Sequence, residues 1–380
     1  MTHEDPGITV TWPRCAQRLA EELRGSGVLS DPAWREAVGR VPRHLFVPDF
    51  YLRTGAAAED ERKGTHFTPD TPGHLEAAYS DQTLVTQFIE YDGWPWPTSS
   101  STAPSLMLRM LQALDVHDGM TALEVGTGTG YNAGLLSERL GDDRVTSIDI
   151  DSDLIGLARS RLEAAGYHPT LAVRDGRHGY PEAAPYDRLI ATVAFDEIPT
   201  EWIKQTKPGG IIVCDLRHSG APWSGALARL EVGDDQTAVG RLLPCPVGFM
   251  SARTHAEIPG ISDSAGMDRT VVKDRDTDVG GSTAMSPGLA LIIWQYLPDL
   301  VAYPGEDTLT VVAGDSWAEV GLLEPTRVSH GGPRDIWGVV EDARNRWEAA
   351  GRPGVERFGI TVEPGRQWVW LDSPVGAVTC

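Results

Sequence analysis

Three glycines at alternate positions lie in the segment EVGTGTG, residues 124–130, between an apolar run (TALEV) and an amphipathic run (YNAGLLSERL). The apolar run predicts a β-strand, and the amphipathic run predicts a helix. Glycines at such a junction let the backbone approach a ligand closely, and open α/β sheets bind ligands at the carboxyl ends of their strands. An ordinary tight turn is the alternative for the glycines alone. We expect a ligand site formed by Glu124, Gly126, Thr127, Gly128 and Gly130.

An acidic residue, Asp149, ends the next predicted strand, 23 residues after Gly126. A carboxylate at this place can accept hydrogen bonds from the two hydroxyls of a ribose. The glycine spacing is GxGxG, whereas dinucleotide pyrophosphate sites use GxGxxG. Because a sulfonium cofactor has no phosphate to bind, the spacing favours S-adenosylmethionine over NAD. A further candidate is Asp175-Gly176, where a carboxylate could lie near an adenine amino group; a plain Asp-Gly turn is the alternative.

Strand and helix patterns alternate from residue 104 to about residue 216. A helix is predicted over residues 104–114, and further strands are predicted at 170–173, 186–191 and 210–216. Repeated strand–helix units are typical of a parallel, doubly wound α/β sheet. Residues 54–73 and 92–102 are rich in glycine, proline and polar side chains, and they predict loops.

The pattern divides the chain into four parts. Residues 1–95 are expected to form a helical region that caps the substrate, and residues 96–253 the α/β core. The alternation stops near residue 253, and residues 254–286 have the composition of a linker or of short edge strands. Residues 287–380 contain a predicted helix at 335–350 and predicted strands at 358–362 and 368–372. We therefore expect a small α+β accessory domain at the C-terminal end.

Composition excludes several classes of protein. The 380 residues carry a formal net charge of −21, which repels phosphate backbones and anionic lipid, so neither nucleic acid nor a membrane is an expected partner. The four cysteines form no CxxC pair, and the ten histidines form no HExxH motif, so no metal is expected. No secretory signal or apolar run of roughly 20 residues is present. These observations favour a cytoplasmic globular protein.

Five motifs together resemble the protein-L-isoaspartate O-methyltransferase family. They are VPRHLFVP at 41–48, AYSD at 78–81, LEVGTGTGYNAGLL at 123–136, RDGRHGYPEAAPYD at 174–187 and QTKPGG at 205–210. The resemblance covers about residues 14–253. It implies a Rossmann-like methyltransferase sheet, S-adenosylmethionine as methyl donor and a peptide carboxylate as acceptor. It also implies that the methionine part of the cofactor lies against residues 124–130, the ribose on Asp149 and the adenine beside Asp175.

The same resemblance identifies candidate acceptor residues. The family has a serine in an S-x-P segment before the first core helix, and here the segment is SSSTAP, residues 99–104. Alignment on the proline puts Thr102 in the place of that serine, with Ser101 and Ser100 beside it. Capping of the following helix is the alternative role for these hydroxyls. Tyr79 and Asp81 of the AYSD motif are expected to line the acceptor pocket, although a structural turn explains them equally well.

Two departures from the family pattern bear on the substrate. Residues 49–77 lengthen one connection, and 127 residues follow residue 253. This long form, with GGPRDIW, GRPGVERFGITV and WVWLDSP, resembles methyltransferases that tailor ribosomally made peptides, above all the graspetide type paired with ATP-grasp ligases. Lanthipeptide and lasso-peptide relatives share the core. The resemblance implies methylation of one aspartate in a pre-cyclised precursor peptide and collapse of the ester to an aspartimide.

Two other functions remain open. The chain could repair isoaspartate in damaged proteins, or it could be a catalytically silent scaffold that binds a peptide. Twelve tryptophans could line a peptide-binding surface, although the core of a small domain explains them as well. Six of the twelve lie in the added C-terminal part, at Trp294, Trp317, Trp337, Trp347, Trp368 and Trp370.

Overall fold

A computed structural model describes residues 11–52, 63–91, 93–253 and 273–374. The chain forms two compact units. The first unit comprises Met1–Thr192 and Gln205–Gly210, and the second comprises Val193–Lys204 and Ile211–Cys380. Along the described ranges, no helix combines the length and the apolar character needed to cross a membrane.

The first unit begins with helices and a small antiparallel sheet. Helix α2 begins where the carboxylate of Asp31 accepts a hydrogen bond from the backbone N–H of Ala33 (2.8 Å), with proline at the first helical position. The four strands of the sheet have the order β2-β1-β3-β4. The elements are α1 (Trp12–Gly25), α2 (Pro32–Arg40), α3 (Arg43–Phe46), β1 (Phe50–Leu52), β2 (Thr65–Phe67), α4 (His74–Ala78), β3 (Leu84–Tyr91) and β4 (Trp94–Ser101).

Strand β4 corrects the prediction of a loop over residues 92–102. Proline lacks the N–H that an interior strand needs, so Pro95 and Pro97 argued against a strand. Because β4 lies at the edge of the sheet, its prolines need a partner on one side only. The predicted loop at 54–73 is replaced in part by β2, and residues 53–62 lie outside the described residues.

A parallel sheet follows in the same unit, as the sequence predicts. Its strands have the order β8-β5-β6-β7, and each neighbouring pair is parallel. All four residues of β5 are buried, as expected of a strand with parallel neighbours on both sides. The elements are α5 (Pro104–Leu114), β5 (Ala122–Val125), α6 (Tyr131–Leu140), β6 (Val145–Asp149), α7 (Ser152–Ala165), β7 (Thr170–Val173) and β8 (Tyr186–Phe195). The Rossmann-like α/β class is confirmed.

The second unit contains two sets of antiparallel strands. One set has the order β18-β17-β11-β10-β9, and the other forms a five-stranded sheet with the order β12-β16-β15-β14-β13. The strands and helices are α8 (Thr200–Gln205), β9 (Thr206–Arg217), β10 (Gly225–Val232), β11 (Ala238–Leu243), β12 (Lys273–Thr277), α9 (Gly281–Ala284), α10 (Pro287–Tyr296), β13 (Val301–Pro304), β14 (Thr308–Ala313), β15 (Ser316–Gly321), β16 (Thr326–Gly331), α11 (Ile336–Ala349), β17 (Phe358–Glu363) and β18 (Arg366–Leu371). The predicted helix and the two last predicted strands are present.

Strands β17 and β18 differ from the sequence expectation in their pairing. The sequence placed them in an accessory domain at 287–380, but β17 pairs with β11, which lies before residue 253. A glycine at 359 permits this pairing, because a Cβ there would lie 2.5 Å from the carbonyl oxygen of Gly240 on β11. Such close approach depends on partners distant in sequence, so the pattern of residues alone does not show it.

Three of the six C-terminal tryptophans belong to the core. Trp317, Trp337 and Trp370 are 4%, 0% and 2% exposed, so the core explanation is confirmed for these three. Trp294, Trp347 and Trp368 are half-buried.

A buried ion pair stabilises the start of the second unit. The carboxylate of Asp215 accepts hydrogen bonds from Nε and Nη2 of Arg217 (2.9 and 3.0 Å) and from the backbone N–H of Phe249 (3.0 Å). The Asp215 side chain is fully buried and that of Arg217 is 7% exposed. Arg217 also donates to the carbonyls of Pro222 and Val247, so the pair joins three segments of the chain.

We expect Asp215→Asn to destabilise the protein by about 3 to 5 kcal/mol, because it leaves a buried guanidinium without its counter-charge. The free energy of unfolding from urea denaturation measures the effect. Asp276→Asn is the matched control, since Asp276 is 94% exposed in its ion pair with Arg327. It should change stability by less than about 0.5 kcal/mol. Equal effects of the two variants would contradict a structural role for the buried pair.

Candidate active site

The glycine segment 124–130 forms a loop between β5 and α6. Gly126, Gly128 and Gly130 have φ values of 97°, 51° and 87°, a region that side chains with a Cβ rarely adopt. The backbone N–H groups of Gly126 and Thr127 both donate to the carbonyl of Ile148 at the end of β6 (2.8 and 3.1 Å). The loop is therefore fixed to the neighbouring strand before any ligand binds.

The room available for a side chain differs between the glycines of the loop. A Cβ on Gly130 would lie 3.1 Å from the Cβ of Ala158 on α7, so this glycine is required by helix packing. A Cβ on Gly128 would have only Ser99 Oγ and the carbonyl oxygen of Ser100 as neighbours, both at 3.8 Å. The open side of the loop at Gly128 therefore faces the segment that the sequence assigned to the acceptor.

Two residues predicted to bind the cofactor are buried beneath the loop. Glu124 is 0% exposed and accepts hydrogen bonds from Asn132 Nδ2 (2.8 Å) and Ser147 Oγ (2.6 Å). The hydroxyl of Thr127, 3% exposed, lies 2.6 Å from the same Ser147 Oγ. Burial raises the pKa of Glu124 to about 7, while the two hydrogen bonds oppose the shift. In this structure both side chains support the loop, so any ligand contact here would come from the backbone.

The carboxylate of Asp149 lies beside the loop at the end of β6. Its Oδ2 accepts a hydrogen bond from the N–H of Gly128 (2.9 Å), and its Oδ1 accepts one from the N–H of Asp151 (3.1 Å). A carboxylate has about four acceptor sites in total. The side chain is half-exposed. This arrangement fits the expected role of Asp149 toward a ribose.

Asp175 and Gly176 follow β7 and lie near the backbone of Asp149 in space. The N–H of Arg174 donates to the carbonyl of Asp149 (2.8 Å), which brings the ends of β6 and β7 together. Asp175 Oδ1 accepts from the N–H of Arg177 (2.9 Å) and lies 3.3 Å from its guanidinium. The turn predicted as the alternative is therefore present, and the side chain is also part of the same sheet edge as Asp149.

The acceptor segment forms the end of β4 and the start of α5. Ser101 is 3% exposed, and its Oγ has no hydrogen-bond partner within the described ranges. Ser100 and Thr102 are half-exposed. Helix α5 begins after Ala103, and the backbone N–H of Ser105 is bonded instead to Oδ1 of Asp81 (2.8 Å). The capping role considered for the hydroxyls thus belongs to Asp81.

Tyr79 lies apart from an open pocket. It is 1% exposed, and its hydroxyl is 3.0 Å from Nδ1 of His44. Burial raises the pKa of Tyr79 well above its usual value, so the hydroxyl stays protonated at neutral pH. In this structure Tyr79 therefore has the structural role that was the alternative to lining the acceptor pocket.

Arg43 is a positioning residue that the sequence did not single out. It is 0% exposed and donates to the carbonyls of Ser80 (2.7 Å), Gln82 (3.1 Å) and Thr102 (3.2 Å). Burial lowers the pKa of Arg43 to about 10, which still leaves it protonated at neutral pH. It therefore fixes the AYSD turn and the acceptor segment to each other. An arginine within the apolar motif VPRHLFVP was the available signal.

Thr192 of β8 is a second positioning residue that the sequence did not single out. Its Oγ1 donates a hydrogen bond to the carbonyl of Gly126 in the glycine loop (2.6 Å). No group of three or more potential metal-ligating side chains occurs in the part of the chain that the structure describes.

The parallel sheet, the glycine loop and the acidic residue beside it define an S-adenosylmethionine-dependent methyltransferase. The family model for protein-L-isoaspartate(D-aspartate) O-methyltransferase matches residues 61–221. A protein-L-isoaspartate O-methyltransferase of Hyperthermus butylicus is 36% identical over 54% of this chain and 76% of its own length. One of Ignicoccus hospitalis is 33% identical over 60% of this chain and 93% of its own length.

The chain belongs to the protein-L-isoaspartate O-methyltransferase family, and it is a carboxyl methyltransferase. A solved protein-L-isoaspartate O-methyltransferase has the same fold, with a TM-score of 0.55 and 21% identity over 94% of this chain and 100% of the other. S-adenosylmethionine, expected from the glycine spacing, is the methyl donor of this class.

We expect Glu124→Gln to remove a pH dependence of stability. Because the pKa of Glu124 is raised from 4.5 to about 7, its contribution to stability is fully present below pH 4.5 and is lost as pH rises to about 7. The variant should therefore gain about 3 kcal/mol relative to the unchanged protein between pH 4.5 and 8. Urea denaturation at several pH values measures this gain. Glu163→Gln, an exposed change on α7, is the control, and a constant difference across pH would refute the assignment.

Proposed function

We propose that this chain methylates the free α-carboxylate of an isoaspartyl residue in a peptide. The observation that supports this function is the position of the acceptor segment beside the cofactor loop. Ser99 Oγ and the carbonyl oxygen of Ser100 each lie 3.8 Å from the position that a Cβ on Gly128 would occupy. The buried hydroxyl of Ser101 lacks a hydrogen-bond partner among the described residues. Family membership supports the same substrate class.

The reaction needs no strong base. A model aspartate has a pKa of about 3.9, so the acceptor is ionised at neutral pH. The donor supplies an electrophilic methyl group on a sulfonium sulfur. One carboxylate oxygen forms the new C–O bond, the C–S bond breaks, and the electron pair of that bond goes to sulfur. A negative oxygen and a positive sulfur become a neutral ester and a neutral thioether, so no proton moves.

The residues of the chain contribute orientation. The Thr102 hydroxyl donates to one oxygen of the acceptor carboxylate, and Ser101 is placed to assist it. A neutral hydroxyl donor orients a carboxylate while leaving its charge available for attack. Arg43 donates a hydrogen bond to the carbonyl of Thr102, which restrains the backbone beside this hydroxyl. Holding the reacting atoms in line is the main source of rate acceleration in such a site.

The methyl ester then reacts within the peptide. The backbone nitrogen of the following residue attacks the ester carbonyl, its proton leaves with the methoxide as methanol, and a five-membered imide forms. Hydrolysis of the imide at either carbonyl gives aspartate or isoaspartate. Repair of isoaspartate follows from repeated cycles of these steps.

A second candidate function is methylation of one aspartate in a ribosomally made peptide, cyclised beforehand by an ATP-grasp ligase, with the aspartimide as product. It is favoured by the part of this chain that the two curated relatives leave unmatched, since they cover 54% and 60% of it. The solved structure that covers 94% of the chain shows, however, that this length is compatible with the fold of the family. The substrate must therefore be tested directly.

We expect an isoaspartyl peptide incubated with the enzyme and S-adenosylmethionine to gain the mass of one methylene and then to lose methanol. Mass spectrometry follows both steps. The matched acceptor is a cyclised precursor peptide that contains one aspartate, together with its linear form. Methylation of the cyclised precursor alone, followed by a net loss of one water, would replace repair with the second candidate. No transfer to either peptide would contradict both functions.

We expect Thr102→Val to lower kcat for methyl transfer by about 10- to 100-fold, since one hydrogen bond to a charged group is worth about 1.5 to 3 kcal/mol. Binding of S-adenosylhomocysteine, measured by calorimetry, should be unchanged. The control is Thr170→Val, an exposed change at the start of β7 that should leave both quantities unchanged. An unchanged kcat in Thr102→Val would remove this hydroxyl from the mechanism.

A further inference from the structure

Two tryptophans of β4 are exposed in a chain that buries most of its large apolar side chains. Trp94 is 60% exposed and Trp96 is 41% exposed, whereas Trp34, Trp202 and Trp337 are at most 1% exposed. Exposed indoles lose the free energy of burial, and tryptophan is the residue most enriched where peptides and proteins are bound. The pair is therefore a candidate contact surface.

The two indoles belong to one row of side chains. Successive pairs of residues in an antiparallel sheet point to opposite faces, and Trp94, Trp96 and Ser99 pair with Tyr91, Ile89 and Gln87 of β3, with a register shift between Pro97 and Ser99. The two indoles and Ser99 therefore share one face of β4. Thr98 lies at the shift, and its Oγ1 donates to Gln87 Oε1 (2.7 Å), which puts it on the same face. We call Trp94, Trp96, Thr98 and Ser99 the tryptophan row.

The row leads to the proposed acceptor position. Its last member, Ser99, has its Oγ 3.8 Å from the position that a Cβ on Gly128 would occupy in the cofactor loop. A strand rises about 3.3 Å per residue, which puts Trp96 about 10 Å and Trp94 about 17 Å from Ser99. These distances correspond to about three and five residues of an extended peptide that starts at the acceptor residue.

The edge of β4 is unsuited to pairing with another strand. Within the described sheet β4 is the last strand, and it carries proline at 95 and 97. Proline in an edge strand turns its nitrogen away from the neighbouring strand, so the outer edge lacks two of the donors that an added strand needs. A peptide at this place is therefore bound through side chains on the row and not by extension of the sheet.

We propose that the tryptophan row binds the segment of the acceptor peptide that flanks the methylated residue, with a lysine or arginine of that segment on the indole faces. The inference rests on the proposed function, because it takes Ser100–Thr102 as the acceptor position. Tryptophan is the best aromatic partner for a cation, and the net charge of −21 attracts a basic segment. The row thus selects peptides by sequence at a distance from the reacting carboxylate.

The test compares a short isoaspartyl peptide with longer peptides that carry an extension of about six residues, long enough to reach Trp94. The extension is placed on either side of the isoaspartyl residue and contains lysine or, in the matched peptide, glutamate. The enzymes are the unchanged protein, the double variant Trp94→Ala/Trp96→Ala and the control Leu157→Ala, an exposed apolar residue of α7. The readouts are kcat, KM and the Kd of labelled peptide from fluorescence anisotropy.

For one of the two lysine peptides, we expect the double variant to raise KM and Kd about tenfold with kcat unchanged, because a desolvated cation–π contact is worth about 1 to 2 kcal/mol. The short peptide, the glutamate peptides and the control variant should show no such change. Equal KM and Kd in all enzymes would overturn the proposal. So would a double variant whose self-association, measured by sedimentation, changes instead of its peptide affinity.

Failure of the proposed function has a different signature. If no peptide is methylated but the lysine peptide still binds and the double variant weakens that binding about tenfold, methyl transfer to isoaspartate is refuted and the row remains a binding surface. If methylation proceeds and the double variant changes neither KM nor Kd, the proposed function stands and the tryptophan row is not a binding surface.

Discussion

The attachment of the glycine loop to the end of β6 is the constraint on which the site depends. Two backbone N–H groups of the loop donate to the carbonyl of Ile148, and the N–H of Gly128 donates to the carboxylate of Asp149. The residue expected to bind ribose therefore also determines the shape of the loop. These bonds restrain the backbone of the loop, and a restrained loop loses less conformational entropy when it binds a ligand.

The local parts of this architecture could be predicted from the sequence. The strand–loop–helix pattern at 122–140 and the acidic residue at 149 depend on neighbours in the chain, and both lie where they were expected. Features that depend on distant partners could not be predicted. Asp81 bonds to the start of α5 across 24 residues, and Arg43 reaches Thr102 across 59. Strand β4 was missed because proline is acceptable only at an edge, and edges are a property of the whole sheet.

The hydrogen-bond partners of buried polar groups distinguish residues that support the loop from residues that are candidates for contact with the acceptor. Glu124 and Thr127 both contact Ser147 beneath the loop, where their side chains support its backbone. Ser101 is as deeply buried but has no partner among the described residues, and it lies at the end of the strand that leads to the acceptor position. Motifs identify the family, whereas the completeness of hydrogen bonding distinguishes the roles of residues within a motif.

The contact between Gly130 and Ala158 has a consequence for how related sequences can diverge. A Cβ at position 130 would lie 3.1 Å from that of Ala158, and Gly130 also has a φ of 87°. A smaller residue at 158 makes room for a side chain at 130 but does not relieve the backbone strain there. A larger residue at 158 finds no space, because glycine at 130 has no atom left to remove. A substitution at one of these positions is therefore not compensated by a substitution at the other. Both residues should vary little among related sequences, even where the surrounding helix changes freely.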